Sequence, residues 1–319
     1  MSIAKAINKC TLVFASRKYT FSWRSATDRI TIGSTGLHTG HNASSKTATF
    51  TRLFTDADGN YYGGTMTGEE ALATLAGKTL SGTTELVLAN DADNSARIAA
   101  ANGMSGLDVK LDSRTLQANI WNTLCVPFNL DATQIESIFG AGTLVKTLGG
   151  YSNDGTTVTV TFANADEIVA GKPYIIMLPE GANNMVNPVF SNVVFDNTMS
   201  DVSVAGATFK GTYDPVQLTA NDKKMLFLAN NKLWYPTADV TVKACRAYFE
   251  LAADVPELGN NAPNIVIDFG DATNITTTNF TNSNDEWYTL DGRKLSGKPT
   301  AKGVYVNGGQ KEVQDAAAL

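Results

Sequence analysis

Apolar and polar positions alternate with a period of two along most of this chain, and Gly, Asn or Asp interrupt the alternation every few residues. "TLVFAS", "KYTFSW", "RITIGS" and "TATFTRLF" carry the pattern in the first 55 residues. From Leu107 onwards it returns in "LDVKLDSRTL", "NIWNTLCVPF", "TTVTVTFA", "KPYIIMLP", "NPVFSNVVFD", "KMLFLANNKLWYP", "VKACRAYFELA" and others. Period two places successive side chains on opposite faces of a strand, so each segment predicts a half-buried strand. About ten such strands at short, regular spacing predict a sandwich or barrel. Asp58-Gly59, Asn153-Asp154-Gly155 and Asn230-Asn231 supply residues that tolerate positive φ, and each predicts a hairpin turn.

Three stretches carry helix signals instead. "TGEEALATLAG" has Thr67 as N-cap and acids in its first turn; "NSARIAAANG" runs from Asn94 to Gly103; "DATQIESIFG" is bracketed by Asp131 and Gly140. None alternates with strands over a helix-length pattern, so a parallel sheet with crossover helices is not expected. "WNTLCVPF" (Trp121 to Phe128) is the densest apolar run. It predicts a central strand buried on both faces, with the ladder stopping at Pro127 for want of an N–H. The expected fold is therefore all-β, an antiparallel β-sandwich with a few short helices.

Composition supports this and narrows the function classes. Charged residues are only 18% of the 319, against roughly 25% in soluble domains; Thr, Asn, Ser and Gly fill the difference. Net charge is −6 with no Lys/Arg cluster, which argues against a nucleic-acid partner. No stretch approaches the roughly 20 apolar residues of a membrane helix, and the N-terminus lacks a secretory pattern.

The order of "ADNSARIAAANG", "LDVKLDSRTL", "WNTLCVPF", "GKPYIIML", "VNPVFSNVVF", "FKGTYDPVQL", "MLFLANNKLWYP" and "CRAYFEL" resembles a β-rich module of large exported proteins from Bacteroides and Prevotella relatives, most without an assigned activity. The tail "WYTLDGRKL…GKPTAKGVYVNGGQKEV" is similar to the end of sorting domains read by the type IX secretion machinery, but continues into "QDAAAL". The resemblance implies an extracellular or cell-surface location. With no secretory pattern present, it also implies a piece of a longer chain with neighbouring domains. The expected organisation is a β-rich segment over 1–84, read as the remnant of an upstream domain; the sandwich over 85–271; a polar linker over 272–285; and a short β-hairpin tail over 286–319.

Candidate chemistry is sparse. His38 and His41 are the only histidines, too few for a closed zinc site, and they read as a polar loop; no Gly-x-Ser-x-Gly elbow accompanies them. Asp56, Asp58 and Asn60 echo the start of a calcium loop, but Tyr61 and Thr67 stand where Gly and Glu are needed, so a hairpin turn is favoured. Asp91 and Asp93 are a weaker case. The adjacent acids Glu69-Glu70 and Asp166-Glu167 do not suit a catalytic couple. No phosphate-binding glycine loop is present, and no metal or other cofactor is expected. Of the three cysteines, Cys125 and Cys245 lie in apolar strands and read as buried thiols or as a disulfide pair; Arg246 is a mild activator of Cys245 at most.

Trp234-Tyr235 and Trp287-Tyr288 are the remaining candidates. In an alternating strand one of Trp234 and Tyr235 faces outward, where it can stack on a sugar, with Asn230 and Asn231 bonding hydroxyls. The expectation is a non-catalytic structural, adhesive or ligand-binding module, with a glycan or a host or cell-surface protein as partner. The alternatives are a carbohydrate-binding module and an accessory domain of a secreted hydrolase.

Overall fold

A computed structural model of the chain describes residues 8–14, 17–23, 29–32, 37–40, 47–258, 262–270, 275–277, 287–289, 303–307 and 310–314. Among the described residues strands dominate and the helices are three and short, as an all-β fold requires. Two sheets form the sandwich. One has six strands in the order Asn122–Leu124, Tyr174–Met177, Leu144–Asn153, Val158–Asn164, Ile265–Asp268, Ile275–Thr277. The other has five, in the order Val202–Val204, Ala207–Thr212, Arg246–Leu251, Met225–Ala229, Lys232–Trp234. Alternation decides what faces inward: Val158, Val160 and Phe162 meet Phe209, Ala247 and Phe249 in one core, while the residues between them are half-buried. Phe209 and Phe249 stack with centroids 4.3 Å apart, and Phe162 meets both edge-on. Each such burial contributes about 1.5–3 kcal/mol.

A second core draws residues from both sides of position 84. Leu53, Phe54, Leu75 and Leu80 pack in one cluster with Leu86, Val109, Phe128, Phe190 and Phe195. Here the structure departs from expectation. Glu85–Ala89 and Ser105–Asp112 pair in parallel, joined by the helix Ser95–Ala101, a local β-α-β unit. Three further pairs are parallel, against a majority that are antiparallel. The seven-residue helix is too short to register as a crossover pattern, yet it spans the gap between strand ends. Its flanking residue Asn94 does not cap it. That side chain is fully buried and instead bonds Ala89 on both edges and the Tyr213 carbonyl.

The other two helices start as their sequences predict. Thr67 and Glu70 form a capping box on Gly68–Leu75, and Asp131 and Gln134 another on Ala132–Phe139. Gly140 closes the latter, its N–H donating to the Glu136 carbonyl at 2.9 Å.

All eight residues of "WNTLCVPF" are buried, but not as one central strand. The ladder is only Asn122–Leu124, at the edge of the six-stranded sheet, and it stops three residues before Pro127. Beyond Leu124 the backbone serves separate partners: Cys125 N–H donates to Cys245 O, Val126 O accepts from Gly171, and Pro127 O from Asp196. Trp121 belongs to the sandwich core, and Leu124, Cys125, Val126 and Phe128 belong to the second core. The segment is the crossing between them, so both of its faces are apolar.

Several expectations fall elsewhere. His38 lies in the strand Leu37–Gly40 opposite Thr31 rather than in a loop, and His41 lies outside the described residues. Within the expected linker, Ile275–Thr277 pairs with Ile265–Asp268. Among its described residues the tail holds three strands, Trp287–Thr289, Gly303–Asn307 and Gln310–Gln314, the last two forming the hairpin. Among the described residues, no helix is long and apolar enough to cross a membrane.

Candidate functional site

The hairpin Met225–Ala229/Lys232–Trp234 turns on Asn230 and Asn231, with φ of 51° and 60°. A two-residue turn of this hand needs positive φ at both positions, and Asn tolerates it. Asn231 is committed to the fold: its side-chain oxygen accepts from the Trp121 N–H at 2.7 Å. Trp121 in turn stacks on Phe269 at 4.9 Å. After the turn, alternation sends Leu233 and Tyr235 into the core and Trp234 outward, 41% exposed. The Trp234 Nε1–H donates to the Ala229 carbonyl at 3.3 Å, which folds the indole back along the turn. Of the four residues the sequence singled out, Trp234 and Asn230 are accessible; Tyr235 is core and Asn231 is a brace.

A cleft of about 330 Å³ opens beside this turn. Asn90, Trp121, Asn122, Asn230, Lys243 and Arg246 are among its lining. Asn122 shapes the floor: its amide bonds Gln117 on both edges and Ile120. Asn90 is buried, accepts from Arg246 Nη2 at 3.2 Å, and joins Asp112 and Ala244 through its backbone. Lys243 pairs with Asp91 at 2.8 Å. Burial pushes the Arg246 guanidinium down from its ordinary value, and the Asp91 carboxylate acts in the opposite sense. The cleft thus presents amides and two cations, with the buried Trp121 as an apolar part of its wall, a lining suited to a hydroxyl-rich ligand. The sequence pointed to Asn230 alone among these. An arginine inside the apolar alternation of "ACRAYFEL" was the available signal for Arg246.

The remaining candidates are engaged in structure. Burial pushes the Cys10 and Cys245 thiols up to about 12 and the Cys125 thiol well above its ordinary value, so all three stay protonated and weakly nucleophilic. The charge of Asp214 adds to the effect at Cys245, and Arg246 does not activate it. Cys125 and Cys245 are backbone neighbours with free thiols. Asp93 accepts from Ser95 N and Oγ, whereas Asp91 turns to Lys243, so the two carboxylates diverge. Asp166 and Glu167 sit exposed on a bend, and Glu70 is held in its capping box. Among the described residues, no three His, Cys, Asp or Glu side chains gather as a metal site would need.

Asp56 is the centre of a network in the expected hairpin. Its carboxylate, with the side chain 6% exposed, accepts from Asn60, from the Tyr62 hydroxyl at 2.7 Å and from Lys78 at 3.0 Å. The Asn60 amide, and then Tyr62 and Lys78, hold its carboxyl well below the ordinary range against the opposing effect of burial. A depressed folded-state pKa gives stability that is present above the unfolded value near 4 and is lost as pH falls below it. Asp56→Asn is therefore expected to lose about 2 kcal/mol at neutral pH. Below about pH 4 the difference between the two proteins should shrink. Urea unfolding across pH 2–7 checks this, and a gap that stays constant across the range refutes it.

No family model, no curated protein and no solved structure matches this chain.

Proposed function

We propose that the chain is a non-catalytic binding module whose ligand is a saccharide, presented by an exported or surface protein. One observation carries the reading. A rigid hairpin, anchored by buried Leu233 and Tyr235, holds Trp234 outward with its Nε1–H on the carbonyl of Ala229, a residue that lines the polar cleft together with Asn230. An indole face covers the C–H face of a sugar ring, while amides in the cleft bond its hydroxyls. The sandwich keeps both in place without a conformational change, so little ordering entropy is lost on binding. Adhesion to a cell-surface glycan or glycoprotein fits this geometry, and the compartment rests on the resemblance to exported modules.

Glycan-array binding tests it. Trp234→Ala removes an exposed side chain and is expected to leave the melting temperature nearly unchanged while weakening binding by on the order of tenfold to a hundredfold. An unchanged array profile overturns the proposal, as does an array on which nothing binds.

A further inference from the structure

We infer that the saccharide is acidic, and that the cleft beside the Asn230–Asn231 turn receives the carboxylate of a uronic-acid residue between Arg246 and Lys243. This rests on the saccharide-binding reading above and names its ligand class.

The backbone brings the two cations together. Residues 243 and 246 are three apart, and in an unbroken strand an odd separation places side chains on opposite faces. Here Cys245 has φ of 55°, a left-handed conformation uncommon for a residue with a side chain. The kink directs Lys243 and Arg246 to the same cleft. Cys245 is held in that conformation by burial and by the hydrogen bond its carbonyl accepts from Cys125 N–H at 3.3 Å. Strain of this kind persists only where the surroundings fix it, and it is concentrated at functional sites.

The charges around the cleft favour an anion, two cations standing against one carboxylate. Three charged groups face one another: Lys243, Arg246 and Asp91. Asp91 is spent on Lys243, in a pair whose two side chains are 46% and 59% exposed, weak enough for a ligand carboxylate to replace. Arg246 has no carboxylate in ion-pair contact among the described residues; its hydrogen bond goes to the neutral Asn90 amide, and its Nε is buried without a partner. A planar guanidinium presents paired N–H groups that match a carboxylate, which makes it the better anchor of the two. The cleft lies at the small end of ligand pockets, with room for about one or two pyranose rings. An acidic sugar reaching Arg246 leaves the rest of the chain to lie along the rim.

The test is calorimetric titration of the full chain with short oligomers of galacturonate, glucuronate and mannuronate, each beside its uncharged methyl ester. At least one acid is expected to bind about tenfold more tightly than its ester. Arg246→Gln and Lys243→Gln should each remove most of that preference, with thermal melts verifying the fold; the exposed Lys243 keeps the test valid if the Arg246 variant is unstable. The inference is overturned if no uronate binds at millimolar concentration, if acid and ester bind equally, or if both variants, folded, retain the preference. Neutral glycans that bind through Trp234 while uronates gain nothing would sink this inference and leave the saccharide reading standing. Failure of acidic and neutral sugars alike would sink both.

Discussion

Phe249→Ala is expected to destabilise the protein by about 3–5 kcal/mol, a large share of the stability of an ordinary domain. Phe249 has no solvent exposure. It is ladder partner to both Phe209 and Leu226, stacks on Phe209 at an interplanar angle of 8°, and takes the edge of Phe162 from the opposing sheet. Truncation removes the apolar burial and leaves a cavity between two sheets whose backbones are each pinned by hydrogen bonds, so the walls cannot close. Urea unfolding should show a lower midpoint with an unchanged slope. Phe249→Leu, which refills most of the volume, should recover more than half of the loss. A cost for the alanine variant below about 1 kcal/mol would mean that the two sheets do not face each other around this residue.

Gly171→Ala is the second large effect, and its cause is backbone rather than side chain. Gly171 has φ of 71° and is threaded between two segments: its N–H donates to Val126 and its carbonyl accepts from Ser200. A methyl group there would collide with the Thr198 carbonyl oxygen and stand 2.8 Å from Met199 Cα. Thr198 cannot yield freely, because the same oxygen accepts the buried Tyr213 hydroxyl at 3.0 Å. Conformational strain and the clash together are expected to cost on the order of 4 kcal/mol or to prevent folding. Gly155→Ala separates the two causes. Gly155 has φ of 88° on an open hairpin with nothing within 4 Å of the added carbon, so only the strain of about 1–2 kcal/mol remains. Equal losses for the two variants would remove the clash from the explanation.

Much of the local architecture was legible in the residues. Val158-Thr159-Val160-Thr161-Phe162 reads as a strand with one apolar face, and that face is the one buried. Thr67 with Glu70, and Asp131 with Gln134, announce helix starts because each pair satisfies donors that a helix leaves open. Asn230-Asn231 announces its turn for the same kind of reason, a local backbone preference. The alternation of Leu233, Trp234 and Tyr235 requires neighbours to face opposite ways. It could not say which way, because Trp and Tyr are both large and amphipathic.

The candidate site was legible only in part. Trp234 and Asn230 carry visible side-chain chemistry on a recognisable hairpin. Asn90, Trp121 and the pair Lys243 and Arg246 come from three separate stretches, and nothing in any one of them shows that they share a cleft.

What the sequence by itself determined is whatever depends on nearest neighbours: the period-two strands, the capped helices, the turns, and a composition poor in charge. Tertiary structure alone decided the pairing of Glu85–Ala89 beside Ser105–Asp112 in parallel, the division of the apolar residues into two cores with Trp121 to Phe128 crossing between them, and the kink at Cys245 that turns two cations towards one cleft. The physical reason is that strand partners and core neighbours are chosen by burial summed over distant segments. A left-handed cysteine is stable only when that burial and a hydrogen bond from another strand hold it.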